Sequence, residues 1–294
     1  MTPDRPMDIL TQCLLDLLHG LEGKGFPLIL CGGFGLYLKQ VRRQEQGFGH
    51  HPLLPGDLWP RPRTTEEIDI LVRTEILADA ERFSRLRQVL DDLTYRPVPG
   101  AEYMQFIRRL DSGGWVKVDL LTGPVPDALG DKVTVRNRRV RPAGRSVGLH
   151  AHRADEAIGF QTNLQAISIE GYCTDGRPCQ GVVFIPPAVT FLMMKLFAFN
   201  DRHRDEQKDF ARHHAMDLYR VVAMLSYDEF QRTRAVISAH WQDEILQEAS
   251  QMIADYFATP TSLGLIRMQE HDLFEPDMDT REFSRALTDL FAEP

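Results

Sequence analysis

The chain has 294 residues, 43% of them hydrophobic and 26% charged, so it is a globular protein able to bury a large core in one large or two modest domains. Its formal net charge of −8 at pH 7 gives no basic field of the kind that marks a general nucleic-acid binder, although Arg136-Asn-Arg-Arg-Val-Arg141 is a local basic patch. No apolar run reaches the ~18 residues of a membrane span, and Met-Thr-Pro-Asp-Arg-Pro lacks the charged-then-apolar pattern of a leader, so the sequence predicts a cytoplasmic location and no membrane partner.

Apolar residues at helical spacing (Ile9, Leu10, Leu14, Leu17, Leu18, Leu21) predict a packing helix over 7–21, ended by Gly23 and Gly25. Leu28 to Cys31 reads as a short buried strand, followed by a Gly32-Gly33 turn and a helix from about Phe34. Glycines let a backbone approach a ligand closely, and the free N–H groups of a helix start suit phosphate. Such a turn also calls for glycine on steric grounds alone. Residues 44–62, rich in Gly, Pro and His, predict an exposed loop, and its adjacent His50 and His51 are more simply solvated than metal-binding.

The next stretch, Arg63-Thr-Thr-Glu-Glu-Ile-Asp-Ile-Leu-Val72, sets Glu67 and Asp69 two residues apart within an apolar run. On a strand they share a face, while Ile68 and Ile70 point the other way into a core. Neighbouring carboxylates without an evident counter-charge are how a sheet holds a divalent cation; two solvated acids on an amphipathic edge strand are the plainer alternative. A helix is predicted over Glu75–Leu93, then a hairpin of Tyr103–Leu110 and Gly114–Leu121 around Asp-Ser-Gly-Gly. Its second arm embeds Asp119 between Val118 and Leu120, as a third metal-binding carboxylate or as a strand-end acid.

Residues 122–160 are rich in Pro, Gly and Arg and show too little periodicity for an assignment. Leu164–Glu170 and Gly181–Ile185 predict two further strands around a turn. Cys13, Cys31, Cys173 and Cys179 have no metal-site spacing. Cys173 and Cys179 flank that turn and can face each other, but the cytosol keeps thiols reduced by default.

Pro186-Pro187 precedes a nearly all-apolar helix, Ala188 to Asn200, with Lys195 in its middle. A lysine so placed must snorkel to solvent or meet an anion, because an unpaired buried ammonium is costly. A charged connector, Arg202 to His214, leads to an amphipathic helix over Ala215–Leu225 that carries Asp217. Ser226-Tyr-Asp-Glu229 is a capping box, and helices follow to about Ile237, over Asp243–Phe257 and over Thr280–Phe291.

The ordered combination of strand, Gly-Gly, helix, then Arg-x-Thr-x-acid-Ile-Asp on a strand resembles the nucleotidyltransferase superfamily of the DNA polymerase beta type. Within it the chain is most similar to the AbiEii-like and MenT-like nucleotidyltransferases, which also carry a Lys on one helix and Asp-Leu-(Tyr) on the next. The resemblance implies an α/β (α+β) fold: a nucleotidyltransferase core with a mixed sheet over 1–185 and a helical C-terminal domain over 186–294. It implies an NTP bound by Gly32, Gly33, Arg63, Thr65 and Lys195, and Mg²⁺ or Mn²⁺ held by Glu67, Asp69 and Asp119. These acids, with Lys195 against the triphosphate and Asp217 orienting it or serving the acceptor, would be the catalytic residues. The activity implied is transfer of NMP to an acceptor, a tRNA, a protein or a small molecule, by the toxin of a toxin–antitoxin-like pair with an antitoxin protein as partner. Two departures stand: Glu67 where most members have Asp, and a long spacer from Gln40 to Pro62. Antibiotic-type transfer to a small molecule and a non-catalytic nucleotide-binding or partner-binding protein of the same fold remain alternatives, as does an unrelated α/β fold.

Overall fold

In the computed structural model, which describes residues 5–45, 52–63, 65–111, 113–144 and 146–294, the chain divides into two compact units. His50 and His51 lie outside the described residues. The first unit comprises residues 1–35, 64–155 and 160–186, and the second residues 36–63, 156–159 and 187–294. The chain therefore leaves the first unit at Pro186, beside the proline pair, but residues 36–63 already belong with the later helices.

The leucines of α1 (Arg5–Leu21) include Leu10, Leu14, Leu15 and Leu17, all buried. β1 (Ile29–Cys31) runs directly into α2 (Gly32–Glu45), which crosses from the first unit to the second. β2 (Glu67–Leu71) precedes two short helices, α3 (Thr74–Ala78) and α4 (Ala80–Asp92). The single helix expected over 75–93 is thus broken at Asp79, whose side chain accepts a hydrogen bond from Arg82 N (3.0 Å) and starts α4 as its N-cap.

β3 (Arg96–Pro97), β4 (Gln105–Arg109) and β5 (Trp115–Thr122) follow, the last two as the expected hairpin. The stretch that carried no assignment holds β6 (Val133–Arg136), β7 (Arg139–Pro142) and β8 (Ala151–Arg153). β6 and β7 join through Asn137 and Arg138, both at positive φ (50° and 57°), the backbone of a tight hairpin turn. β9 (Gln165–Tyr172) and β10 (Pro178–Ile185) close the unit as a long hairpin. There Cys173 and Cys179 form a disulfide with Cα atoms 6.1 Å apart, which corrects the expectation of reduced thiols: the hairpin end holds the two side chains face to face. Cys13 and Cys31 are free and buried.

The strands make one mixed sheet in the order β6-β7-β8-β5-β2-β1-β10-β9, with β4 also on β5 and β3 on β4. β2 lies parallel to β5 and antiparallel to β1. One face buries Ile68, Ile70, Val116, Val118, Leu120, Val183 and Ile185, with α1 packed on β2, β9 and β10 and beside α4. Each such aliphatic side chain contributes roughly 1.5–3 kcal/mol on leaving water. The alternation that buries this set turns the intervening polar residues of β2 and β5 to the other face.

The second unit is helical: α5 (Ala188–Arg202), α6 (Arg212–Ala223), α7 (Tyr227–Ala239), α8 (Glu244–Tyr256), α9 (Leu263–Gln269) and α10 (Thr280–Leu290). α6 lies against α5, α9 and α10, and every residue from His214 to Ala223 is buried. The capping box at Ser226 forms, and its Glu229 also pairs with Lys39 (2.8 Å) and Arg43 (2.5 Å) of α2. The described part of 44–62 is not the exposed loop that its composition suggests. Leu53 and Leu54 donate their N–H groups to Leu225 O and Ala223 O, Leu54 is buried, and Trp59 Nε1 donates to Leu54 O. Backbone pairing with the end of α6 fixes this segment where sequence periodicity has nothing to show. Among the described residues, no helix is long and apolar enough to cross a membrane.

Candidate functional site

The parallel pairing of β2 with β5 puts Asp69 beside Asp119 and Glu67 beside Lys117, all on the polar face. Glu67, Asp69 and Asp119 each offer an oxygen within 4.8 Å of the other two, and all three are half-buried. Three carboxylates at this spacing repel, since low-dielectric surroundings strengthen like-charge interaction. Lys117 Nζ answers part of that charge, at 2.7 Å from Glu67 Oε1 and 3.4 Å from Asp119 Oδ2. Burial lowers the Lys117 pKa, but the Glu67 hydrogen bond and the two nearby acids outweigh it and hold the ammonium above its ordinary value.

Asp119 is held by a partner on the neighbouring strand β4. Its Oδ2 accepts from Gln105 Nε2 (2.9 Å) on β4, while its Oδ1 is buried with no hydrogen-bond partner. Burial pushes the carboxyl above its ordinary pKa, with Lys117 opposing and Glu67 adding to the shift. An orphaned buried carboxylate oxygen costs free energy unless something cationic or donating meets it.

Gly32 explains itself at this site. It has φ +64°, and a Cβ there would lie 1.7 Å from Asp69 Oδ2. Asp69 therefore occupies the space that a side chain at 32 would fill, so any other residue both strains the backbone and displaces the carboxylate. Gly33 follows, buried in the first turn of α2. Thr65 Oγ1 accepts from Glu67 N (3.3 Å), a local bond at the entry to β2.

The other predicted residues gather in the second unit. Asp217 is fully buried on α6, and its Oδ2 receives Lys195 Nζ (2.7 Å) from α5 and Arg63 Nε (3.4 Å). Its Oδ1 accepts from Arg220 Nη1 (2.9 Å), one turn further along α6. Arg220 Nη2 donates to Arg61 O (2.7 Å), while its Nε is buried without a partner. Lys195 does not snorkel: it is 6% exposed and its anion is Asp217. Burial alone would raise the Asp217 pKa, but Lys195, Arg63 and Arg220 hold it far below the ordinary carboxylate range. Burial first, then the charges of Arg63 and Lys195, push His213 down to about 4, so it is neutral at neutral pH. His214, more deeply placed, is likewise driven well below its ordinary value.

The structure thus assembles Gly32, Glu67, Asp69 and Asp119 in one unit, and Arg63, Lys195 and Asp217 in the other. Sequence reasoning missed Lys117, Gln105 and Arg220. Lys117 was legible as the residue two before Asp119 on the same strand face, and Arg220 as the residue three after Asp217 on a helix. Gln105 depended on hairpin register and had no local signal.

Three hard oxygen donors and an unpartnered buried oxygen suit a small divalent cation such as Mg²⁺ or Mn²⁺. Octahedral ligands at about 2.1 Å stand roughly 3–4 Å apart, so the three acids need only small side-chain rotations to share one ion. Comparison with protein-family models, curated proteins and solved structures finds no match to this chain.

Proposed function

We propose that the chain is a Mg²⁺- or Mn²⁺-dependent nucleotidyltransferase that passes NMP from an NTP to an acceptor and releases pyrophosphate, on a fold of the polymerase-beta type. The observation that carries this reading is the convergence of Glu67, Asp69 and Asp119 on one sheet face, with Gly32 stripped of a side chain where Asp69 packs. A divalent ion in such a site supplies charge neutralisation for the attacking and leaving oxygens of an in-line displacement. Glu67, Asp69 and Asp119 would hold it, and Gln105 fixes the Asp119 rotamer through Oδ2. The start of α2 at Gly32 and Gly33 is where a helix dipole would favour phosphate oxygens. Asp217 holds Arg63 and Lys195 in ion pairs, and with Arg220 the cluster has more cations than acids, so it can face an anion.

One observation favours a second reading. Lys117 already pairs with both Glu67 and Asp119, so the same face could serve a protein that binds nucleotide or a partner without catalysis. The acceptor divides the first reading further, into an RNA or protein target of a toxin-like enzyme and a small molecule of antibiotic type; the acidic net charge leans away from RNA. Labelled NTPs incubated with the protein, Mg²⁺ and either total RNA, protein extract or aminoglycoside-like alcohols distinguish these. Label in one acceptor class, lost with Asp69→Asn, supports transfer and names the class. Nucleotide binding of equal strength in EDTA and Mg²⁺, with no label transferred, supports the non-catalytic reading and removes the metal site.

A further inference from the structure

β10 pairs with β9 along its whole length but with β1 only near Phe184, whose N–H donates to Leu28 O (2.8 Å). No backbone bond to β10 is made on the N-terminal side of Leu28 among the described residues. The chain instead turns away through Gly25 and Gly23, both left-handed at φ +65° and +68°. Backbone groups alternate sides along a strand, so the N–H and C=O of Gln180 and Val182 point the same way as those of Phe184, into the gap that β1 leaves. Among the described residues no backbone partner meets them there.

That gap is a recess of about 660 Å³. Leu18, Leu21, Phe26 and Val182 give it apolar walls, and His19 and Arg177 stand at its mouth with Arg177 Nη1 3.3 Å from His19 Nε2. Pro178, the first residue of β10, bounds the open edge at its far end, as prolines commonly do.

We propose that this recess docks an extended segment of a partner polypeptide, which adds as a short strand beside β10. Two outward N–H and C=O sets, repeating at about 6.8 Å along the strand, are matched together only by another extended backbone. The apolar walls take one side chain of that segment. The end of α1 and the 22–27 turn line the recess beside this edge, leaving room for one strand. The proposal is independent of the nucleotidyltransferase reading, because none of these residues belongs to the acid site.

A random peptide library displayed on phage and selected on the full chain supplies the probes, and fluorescence anisotropy of the enriched peptides on the intact protein supplies the readout. A walk of single backbone N-methyl groups along each peptide should weaken binding about tenfold or more at alternate positions and leave the intervening ones nearly unchanged. Val182→Pro removes an N–H that faces the recess and no bond to β9, so it should abolish peptide binding while thermal stability persists; Val182→Thr should bind as wild type. Should Val182→Pro fail to fold, the N-methyl walk on the wild-type protein decides alone. Failure to enrich any peptide, a flat N-methyl profile, or peptides that bind Val182→Pro equally well would overturn the proposal. So would sedimentation showing a dimer that Val182→Pro dissolves, since the occupant would then be a second copy.

Discussion

The two ion clusters are opposites in charge and in depth. On the sheet face, three half-buried carboxylates meet one ammonium; among the helices, three cations meet one carboxylate that solvent does not reach. The first gathers acids near solvent, where the proposed function would have a divalent ion join them. The second is organised around Asp217, because a buried carboxylate needs its partners to remain charged at all. Excess negative charge at an accessible place reads as a binding site, whereas excess positive charge around a buried acid serves structure first and ligand second.

The most direct way to break this contrast is Asp217→Asn, which should cost about 3–5 kcal/mol in chemical denaturation by stranding Lys195 and Arg220 without their anion. The pH dependence has the matching sign. Asp217 titrates far below its unfolded value, so its contribution is complete above the ordinary carboxylate range and is lost as pH falls toward its folded value. An acid-unfolding curve unchanged by Asp217→Asn would show that the cluster holds nothing together.

Asp69→Asn tests the opposite cluster and should leave the denaturation midpoint equal or higher, since one of three mutually repelling charges is gone. Transfer activity should fall by roughly a thousandfold or more, about 4 kcal/mol of barrier. A Asp69→Asn protein that still transfers label would make the two clusters alike as structural features.

Gly32→Ala should cost about 1–2 kcal/mol in stability from its left-handed backbone and weaken Mn²⁺ binding about 10- to 100-fold by pushing Asp69 aside. Calorimetric titration reads the second effect, and unchanged Mn²⁺ affinity would detach the glycine from the site.

The smallest and sharpest change is Lys117→Gln. It removes the resident cation, so it should destabilise the metal-free protein by about 1 kcal/mol and enlarge the stabilisation that Mg²⁺ provides in thermal melts. Asp119 adds a pH signature to the same measurement. Its raised pKa means that it costs stability when ionised, and that this cost fades as pH falls through its folded value. Stabilisation by Mg²⁺ should therefore shrink on acidification earlier than ordinary carboxylates would dictate. Equal Mg²⁺ shifts in wild type and Lys117→Gln would mean that lysine and metal do not compete.

Much of the site was legible in short stretches. Glu67-Ile-Asp69 shows alternation directly, and Val118-Asp119-Leu120 repeats it, because side-chain direction on a strand follows from chain geometry alone. The Ser226 capping box and the helices near 188–200, 244–256 and 280–290 are likewise local, set by caps and periodicity within one or two turns. The break at Asp79, the short strands β6 to β8 and the packed course of 52–63 were not legible. Each is fixed by partners distant in sequence, as when Leu53 pairs with Leu225.

Residue types and local alternation determined which side chains could meet: two acids on one strand face, a third on another, a lysine in an apolar helix, an aspartate on the next. Only tertiary structure decided which did meet. Register set Asp69 against Asp119 and Glu67 against Lys117, and helix packing gave Lys195 to Asp217 in place of solvent. The physical reason is that charge pairing acts over a few ångströms, and nothing in a local pattern states which distant residue arrives within them.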